Sequence, residues 1–397
     1  MTTGTVTGGR RVLAPLGLVF LIVGLANSLV VPFISLFLAT EVHATAVQTT
    51  VILVAYPVSA VVAAWAVGRV SDRWPVRRPL MVGASLAGLI GMGLTAVVRD
   101  YWVLLAVTVT ATAAAGVLFP QTFAFAREVL AQRDPKRAAL GISVLRTVFS
   151  IAWVAGPPVA AALLAVGGFP LVYGAAAAMY GLAAVVAFRL PDAEAPAPAP
   201  ASTDADGPAA GLRFTILLTI VAFVLLQTPL NLGGQAVALF TTEELGGTVT
   251  DAGLILGLCA ALEIPLMLGL GVLSTRVPLR VLILLGAAAG IAYQAMAAAS
   301  HEVWQLAAAQ LFNALFIAAI SALGIPYVQD LMPDRPGHAT TMSTNTFPMG
   351  QIVAGPLFGL AQSNGYRLAY VMSLGLCVLG FLLLLATRPR PPAQSPE

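Results

Sequence analysis

Two side chains in this 397-residue chain place charge where the surrounding sequence is apolar: Arg146, within the run 138–166, and Glu263, within the run 252–273. A charge inside a membrane-crossing stretch is costly, so each marks a candidate functional site. Apolar surroundings favour a protonated carboxyl, whereas an adjacent arginine favours the carboxylate. An acid that meets an arginine in one conformation and leaves it in another therefore binds and releases a proton. The competing reading is a permanent buried ion pair that only joins two parts of the molecule.

A second set of residues has the chemistry to hold a polyhydroxylated ligand. Hydroxyls that lose water need amide partners, and a C–H face stacks on rings. Gln227 and Asn231 are four apart, and Gln310 and Asn313 three apart, so each pair shares one face of a helix. Asn27, Tyr56, Gln121, Trp153, Gln294 and Asn345 lie in other apolar runs. Trp153 is one heptad from Arg146, about two turns along the same face, and could act as a stacking platform. Intramembrane amides also serve as interhelical glue, often for less than about 1 kcal/mol each.

These residues need apolar elements to position them, and the composition supplies little else. Hydrophobic residues make up 59% of the chain and charged ones 9%, with a mean hydropathy of +0.91, far from the quarter or so of charged residues usual in soluble domains. Twelve apolar runs are long enough to cross a bilayer. The first six cover 12–38, 47–67, 80–98, 102–126, 138–166 and 171–188; the second six cover 214–240, 252–273, 279–299, 303–328, 340–361 and 368–386. The first run follows Arg10 and Arg11 without a small-residue cleavage site and reads as a retained helix. Between the sets, 191–212 is rich in Ala and Pro and carries acids, the composition of a linker. The expected domains are a six-helix bundle at 1–190, the linker at 191–212 and a second bundle at 213–397.

Threading the runs from an inside N-terminus puts Arg69, Arg73, Arg77, Arg78, Arg127, Arg133, Lys136, Arg137, Arg189, Arg213, Arg276, Arg280 and Arg335 on one side and only Arg99 and Arg367 on the other. Short basic loops stay cytoplasmic, so both termini and the linker are expected in the cytoplasm. The formal charge of +3 serves orientation; with no soluble basic face, no nucleic-acid partner is expected. Cys259 and Cys377 are far apart in apolar runs and read as buried inert thiols. No phosphate-cradling glycine loop, metal-ligand set or Ser-His-Asp arrangement stands out, which argues against an enzyme and against a cofactor.

One stretch is written twice. Residues 68–78, with Gly68, Ser71, Asp72, Arg73, Pro75 and Arg77, reappear at a constant offset with Gly271, Ser274, Thr275, Arg276, Pro278 and Arg280. Such self-similarity implies two copies of one architectural unit. Gly156-Pro157-Pro158 and Gly355-Pro356 also occupy corresponding places and are candidate bending points.

Two six-helix halves, a central linker and the loop Gly-x-x-x-Asp-Arg-x-x-x-Arg-Arg at 68–78 resemble the major facilitator superfamily. Ser35-Leu36-Phe37-Leu38, Pro120-Gln121, Ala126-Arg127-Glu128, Leu145-Arg146, Ala152-Trp153-Val154, Leu262-Glu263-Ile264-Pro265, Gln310-Leu311-Phe312-Asn313 and Gln329-Asp330-Leu331-Met332-Pro333 are similar to its bacterial sugar efflux transporters. The resemblance implies an all-α polytopic membrane protein of twelve helices in two pseudo-symmetric bundles, a monomer in the bacterial cytoplasmic membrane. It implies export of a sugar or glycoside against entering protons by alternating access. Arg146 and Glu263 would meet across the seam between the halves.

The same resemblance makes Gly68, Asp72, Arg73, Arg77, Glu128, Arg276 and Asp330 a cytoplasmic latch. Thr275 replaces the second acid, so the second loop is expected to be the weaker latch. Helices one, four, seven and ten would line the cavity, which ranks Asn27, Gln121, Gln227, Asn231, Gln310 and Asn313 above Gln294. A multidrug exporter of the same superfamily and a membrane sensor that transports nothing are the alternatives.

Overall fold

The computed structural model describes residues 6–74, 76–133, 135–190, 210–333 and 335–387, and no side chain at 6–14, 72–73, 127, 130–133, 135–143, 146, 210–212 or 336. Regular structure among these residues is helical throughout. Helix α1 is Val6–Val30, prolonged by a 3-10 turn at Val31–Phe33 and a short helix at Ile34–Thr40. Helix α2 spans Ala46–Arg73 and α3 spans Arg77–Val97. Helix α4 begins as Tyr101–Val107, passes a π turn at Thr108–Thr112 and Ala113–Gly116, and ends as Leu118–Arg133. Helices α5 (135–167) and α6 (169–188) form one run, Pro135–Phe188, broken at Gly168. Then come α7 Ala210–Leu239, with a π turn at Phe240–Glu244, and α8 Val249–Leu273. The last four are α9 Leu279–Ala299, α10 Val303–Leu331, α11 Pro336–Asn364 and α12 Arg367–Ala386.

Ten stretches among the described residues are long and apolar enough to cross a bilayer. One of them, Thr147–Phe188, is 42 residues long and contains the break at Gly168, where φ is 63°. Only glycine takes that left-handed backbone freely, and Pro170 just beyond it has no N–H to donate, so this stretch holds two spans. Helix α11 is 29 residues long but carries His338, Thr340, Thr341, Ser343, Thr344, Asn345 and Thr346, too many polar groups for the same hydropathy. With α11 and the divided stretch, the twelve helices expected from the sequence are present.

The chain divides into two compact units, Met1–Ala201 with Val237–Ala261, and Ser202–Ala236 with Leu262–Glu397. In the first, small residues let helices approach closely, the main source of association between helices in lipid. A Cβ on Gly24 of α1 would stand 2.8 Å from Ala152 of α5, and one on Gly88 of α3 would strike the Tyr180 ring of α6. The π turn of α4 leans into Gly91 of α3. In the second unit Gly290 of α9 lies under Phe316 of α10, and Gly350 of α11 lies against the backbone at Gln227 of α7. Phe223, Leu226, Ile283, Phe316 and Tyr327 form its core.

Arginines tie helix ends in the same way in both halves. Arg78, second residue of α3, donates to the Phe188 carbonyl at the end of α6; Arg280, second residue of α9, donates to Leu384 and Leu385 at the end of α12, at 3.2 and 3.0 Å. At the opposite ends, Arg99 donates to the carbonyls of Thr95 and Ala96 of α3, of Val98 just after it, and to Glu41, while Arg367 donates to Ala298 of α9. The two exceptions to the basic-side bias thus cap orphan carbonyls at helix C-termini, a structural duty. Exposed Trp65 and Trp74 near one end of α2, and Trp102 and Trp304 at the starts of α4 and α10, suit interfacial belts.

The carbonyl bonds correct the register of the repeat. Sequence matching sets Arg280 against Arg77, yet Arg280 does the work of Arg78, because the second loop reaches its helix one residue sooner. Leu279 therefore stands where the first half has Arg77.

Candidate functional site

The repeated loop delivers Arg77 into a buried polar cluster. Its Nε and Nη2 both lie 2.8 Å from Glu128 Oε1 of α4, with 9% of the arginine side chain and 21% of the glutamate exposed. Nη1 donates to Gln121 Oε1 at 3.2 Å and approaches Ser71 Oγ at 3.5 Å. The Gln121 amide in turn donates to Ser71 Oγ at 3.5 Å, and Ser71 donates to the Gly68 carbonyl at 3.0 Å. A guanidinium in low-dielectric surroundings needs this many acceptors to offset its lost hydration. Gln121, expected to face a ligand, has both ends of its amide engaged here and is buried. Asp330, the acid at the corresponding end of α10, is exposed, as is Arg276. The side chains of Asp72, Arg73 and Arg146 lie outside the described residues.

Higher in the first unit, Asn27 of α1 donates one amide hydrogen to its own helix at Val23 O, 2.8 Å, and the other toward Tyr180 Oη of α6, 3.5 Å. Both donors being engaged, Oδ1 is the acceptor that remains. Tyr56 stands within electrostatic reach of Tyr180 and beside Gly116 of α4. Ser28, the next residue on α1, donates to Ala152 O of α5 at 2.9 Å and fills the space left by Gly156. Half-buried rings line α4 and α5: Phe119 lies tilted against Phe149 at 4.4 Å, Phe123 meets Phe20 edge-on at 4.5 Å, and Trp153 follows Phe149 at 6.5 Å.

Helix α5 also meets the first half of α8. A Cβ on Gly253 would lie 2.6 Å from Ala161 and 2.8 Å from the Pro157 carbonyl; one on Gly257 would lie 2.7 Å from Pro158 and 3.1 Å from the Val154 carbonyl. Pro157 and Pro158 cannot donate to the carbonyls of Trp153 and Val154. The Gly-x-x-x-Gly pair of α8 thus packs on the part of α5 whose ladder is interrupted. Glu263, farther along α8, is half-buried.

In the second unit, Gln227, Asn231 and Gln235 recur every four residues along α7 and share a face. Asn231 Nδ2 donates to Gln227 O at 2.9 Å, and the side-chain carbonyls of Gln227 and Gln235 are buried without a hydrogen-bond partner. On α10, Gln310 Nε2 reaches Leu306 O at 3.3 Å and Tyr293 Oη of α9 at 3.5 Å, while its Oε1 accepts from Asn313 at 2.9 Å. Asn345 of α11 is exposed. Gln294 of α9 is fully buried, with neither amide atom hydrogen-bonded. Sequence reasoning missed Gln235, Tyr180, Tyr293 and the glycine pair of α8. Spacing alone could have found Gln235 and the glycines; the tyrosines sit on helices whose faces pattern does not reveal.

No group of three or more His, Cys, Asp or Glu able to hold a metal occurs among the described residues. The chain matches the Major Facilitator Superfamily model over residues 16–231 and 221–397. It is 33% identical over 381 residues to Sugar efflux transporter A of Dickeya chrysanthemi, covering 95% of this chain and 96% of that one. It is also 33% identical over 345 residues to Sugar efflux transporter B of Salmonella typhimurium, covering 87% of each. The fold is similar to the crystal structure of the nucleoside transporter NupG, with a TM-score of 0.77 at 13% identity, over 95% of this chain and 99% of that one. The chain belongs to the major facilitator superfamily, among its bacterial sugar efflux transporters, and is a multi-pass membrane transporter, not an enzyme.

Proposed function

We propose that this protein exports a sugar or glycoside across the bacterial cytoplasmic membrane in exchange for entering protons, working as a monomer by alternating access of two bundles, 1–190 and 213–397, joined by the linker 191–212. The observation that carries the substrate class is the α7 stripe, where two buried amide carbonyls, at Gln227 and Gln235, have no protein donor. An unpaired buried acceptor costs about 1–3 kcal/mol, and hydroxyls of a sugar would remove that cost in the state of the transport cycle that opens this face. Asn27 and Asn313 are further amides, and Trp153 a ring, that would serve the same ligand. The names of the relatives support a sugar over another polar solute.

Glu263 carries the proton and Arg146 is its counter-charge, pairing with it in one state and leaving it in another. The buried Arg77–Glu128 cluster steadies the cytoplasmic end, with Gly68, Asp72 and Arg73 forming the primary latch and Arg276 and Asp330 the weaker one. Both termini are cytoplasmic, on the arginine-rich side. The aromatic wall of Phe119, Phe123, Phe149 and Trp153 favours one second reading, export of a cationic amphiphile. Uptake of a radiolabelled sugar panel into inside-out vesicles, with and without a proton gradient, separates the two: sugar accumulation driven by the gradient is expected, and uptake of a cationic dye alone would replace sugar with drug.

A further inference from the structure

We propose that a groove between α3 and α6, at the ends that Arg78 and Arg189 occupy, binds an anionic phospholipid. The groove has a volume of about 410 Å³ and is lined by Val82 of α3, by Ala184, Val185 and Phe188 of α6, and by Arg189 just beyond its end. It is apolar along its length and cationic at one end, the polarity of a lipid with an acyl chain and a negative headgroup. Val185 and Phe188 are 49% and 64% exposed on a helix that crosses the bilayer, so hydrocarbon is the solvent they meet.

The cationic end is built. Arg78 donates to the Phe188 carbonyl and holds its guanidinium 5.1 Å from the centroid of the Phe188 ring, which fixes one positive charge against the aromatic end of the groove. Arg189, the next residue, is exposed and supplies a second charge at the mouth, with donors that match phosphate oxygens. Basic pockets between membrane helices hold anionic headgroups, and each basic residue at a charged bilayer surface is worth about 1 kcal/mol, roughly a fivefold preference. Two arginines therefore favour phosphatidylglycerol over phosphatidylcholine, whose choline brings a compensating positive charge.

The test uses the purified full chain in neutral detergent, titrated with phosphatidylglycerol or phosphatidylcholine, with bound lipids counted by native mass spectrometry. The first phosphatidylglycerol is expected to bind at least about tenfold more tightly than the first phosphatidylcholine. Arg189→Gln lowers that preference about fivefold. Val185→Trp, which fills the groove from an exposed position, removes the tight site, while Arg213→Gln, at an exposed arginine of the other unit, leaves it intact. Equal affinity for the two lipids overturns the proposal, as does an equal loss in Arg213→Gln. Displacement of phosphatidylglycerol by inorganic phosphate alone would assign the arginines to a soluble anion and overturn it too.

Discussion

Arg77 and Glu128 meet at 2.8 Å with little of either side chain exposed. The pair joins the first turn of α3 to α4, and the second half has Leu279 in place of the arginine. Truncating one member of a buried pair leaves the other charge without compensation, at about 3–5 kcal/mol. Arg77→Ala and Glu128→Ala are each expected to lower the melting temperature in detergent sharply. The double variant loses less than the sum of the two. Full additivity in that cycle would contradict a coupled pair.

Tyr180→Phe keeps the ring that packs on Gly88 and removes only the hydroxyl behind Asn27. Asn27 then keeps its bond to Val23 O but loses the second contact that fixes its amide plane, so Oδ1 is held less firmly toward a ligand. A rise in KM for the exported sugar of about three- to tenfold is expected, the worth of about one hydrogen bond, with maximal rate and protein yield unchanged. Equal changes in rate and yield would reduce Tyr180 to a packing residue.

Gln294 and Gln227 make a contrasting pair, since both bury unsatisfied amide atoms. Gln294→Leu is expected to raise thermal stability, by up to about 1–3 kcal/mol, and to leave transport as it was. Gln227→Leu is expected to be no less stable but to weaken sugar transport about tenfold or more. Thermal melts and vesicle uptake on the same two variants check both halves of the statement.

Gly253 and Gly257 of α8 have no slack. Gly253→Ala and Gly257→Ala would place a methyl within 2.6–2.8 Å of α5, whereas Gly269 of the same helix has nothing within 4 Å. The first two should lose transport or folding yield by about tenfold, in keeping with the 1–3 kcal/mol of overpacking, and Gly269→Ala should behave as wild type. Three alike outcomes would remove the close α5–α8 contact from the account.

Much of this architecture could be read from hydropathy, because bilayer thickness sets helix length and loops concentrate arginine on one side. Helix α11 was legible by length despite its hydroxyls. The break between α5 and α6 was marked by Gly167-Gly168 and Pro170. The site was harder. Arg77 and Glu128 stood together as cytoplasmic latch residues and are paired, but Gln121 looked like a ligand amide, and whether an amide faces a ligand or a neighbouring guanidinium depends on three-dimensional register. Repeat matching also set Arg280 one residue off, since identical residue types outweighed a one-residue difference in loop length that only the helix ends reveal.

Proton coupling through Glu263 is the central claim, and inside-out vesicles carrying Glu263→Gln test it most directly. Gradient-driven sugar accumulation is expected to disappear in this variant, while sugar-for-sugar exchange, which needs no net proton movement, continues near the wild-type rate. Accumulation that still follows the proton gradient in Glu263→Gln would contradict the account.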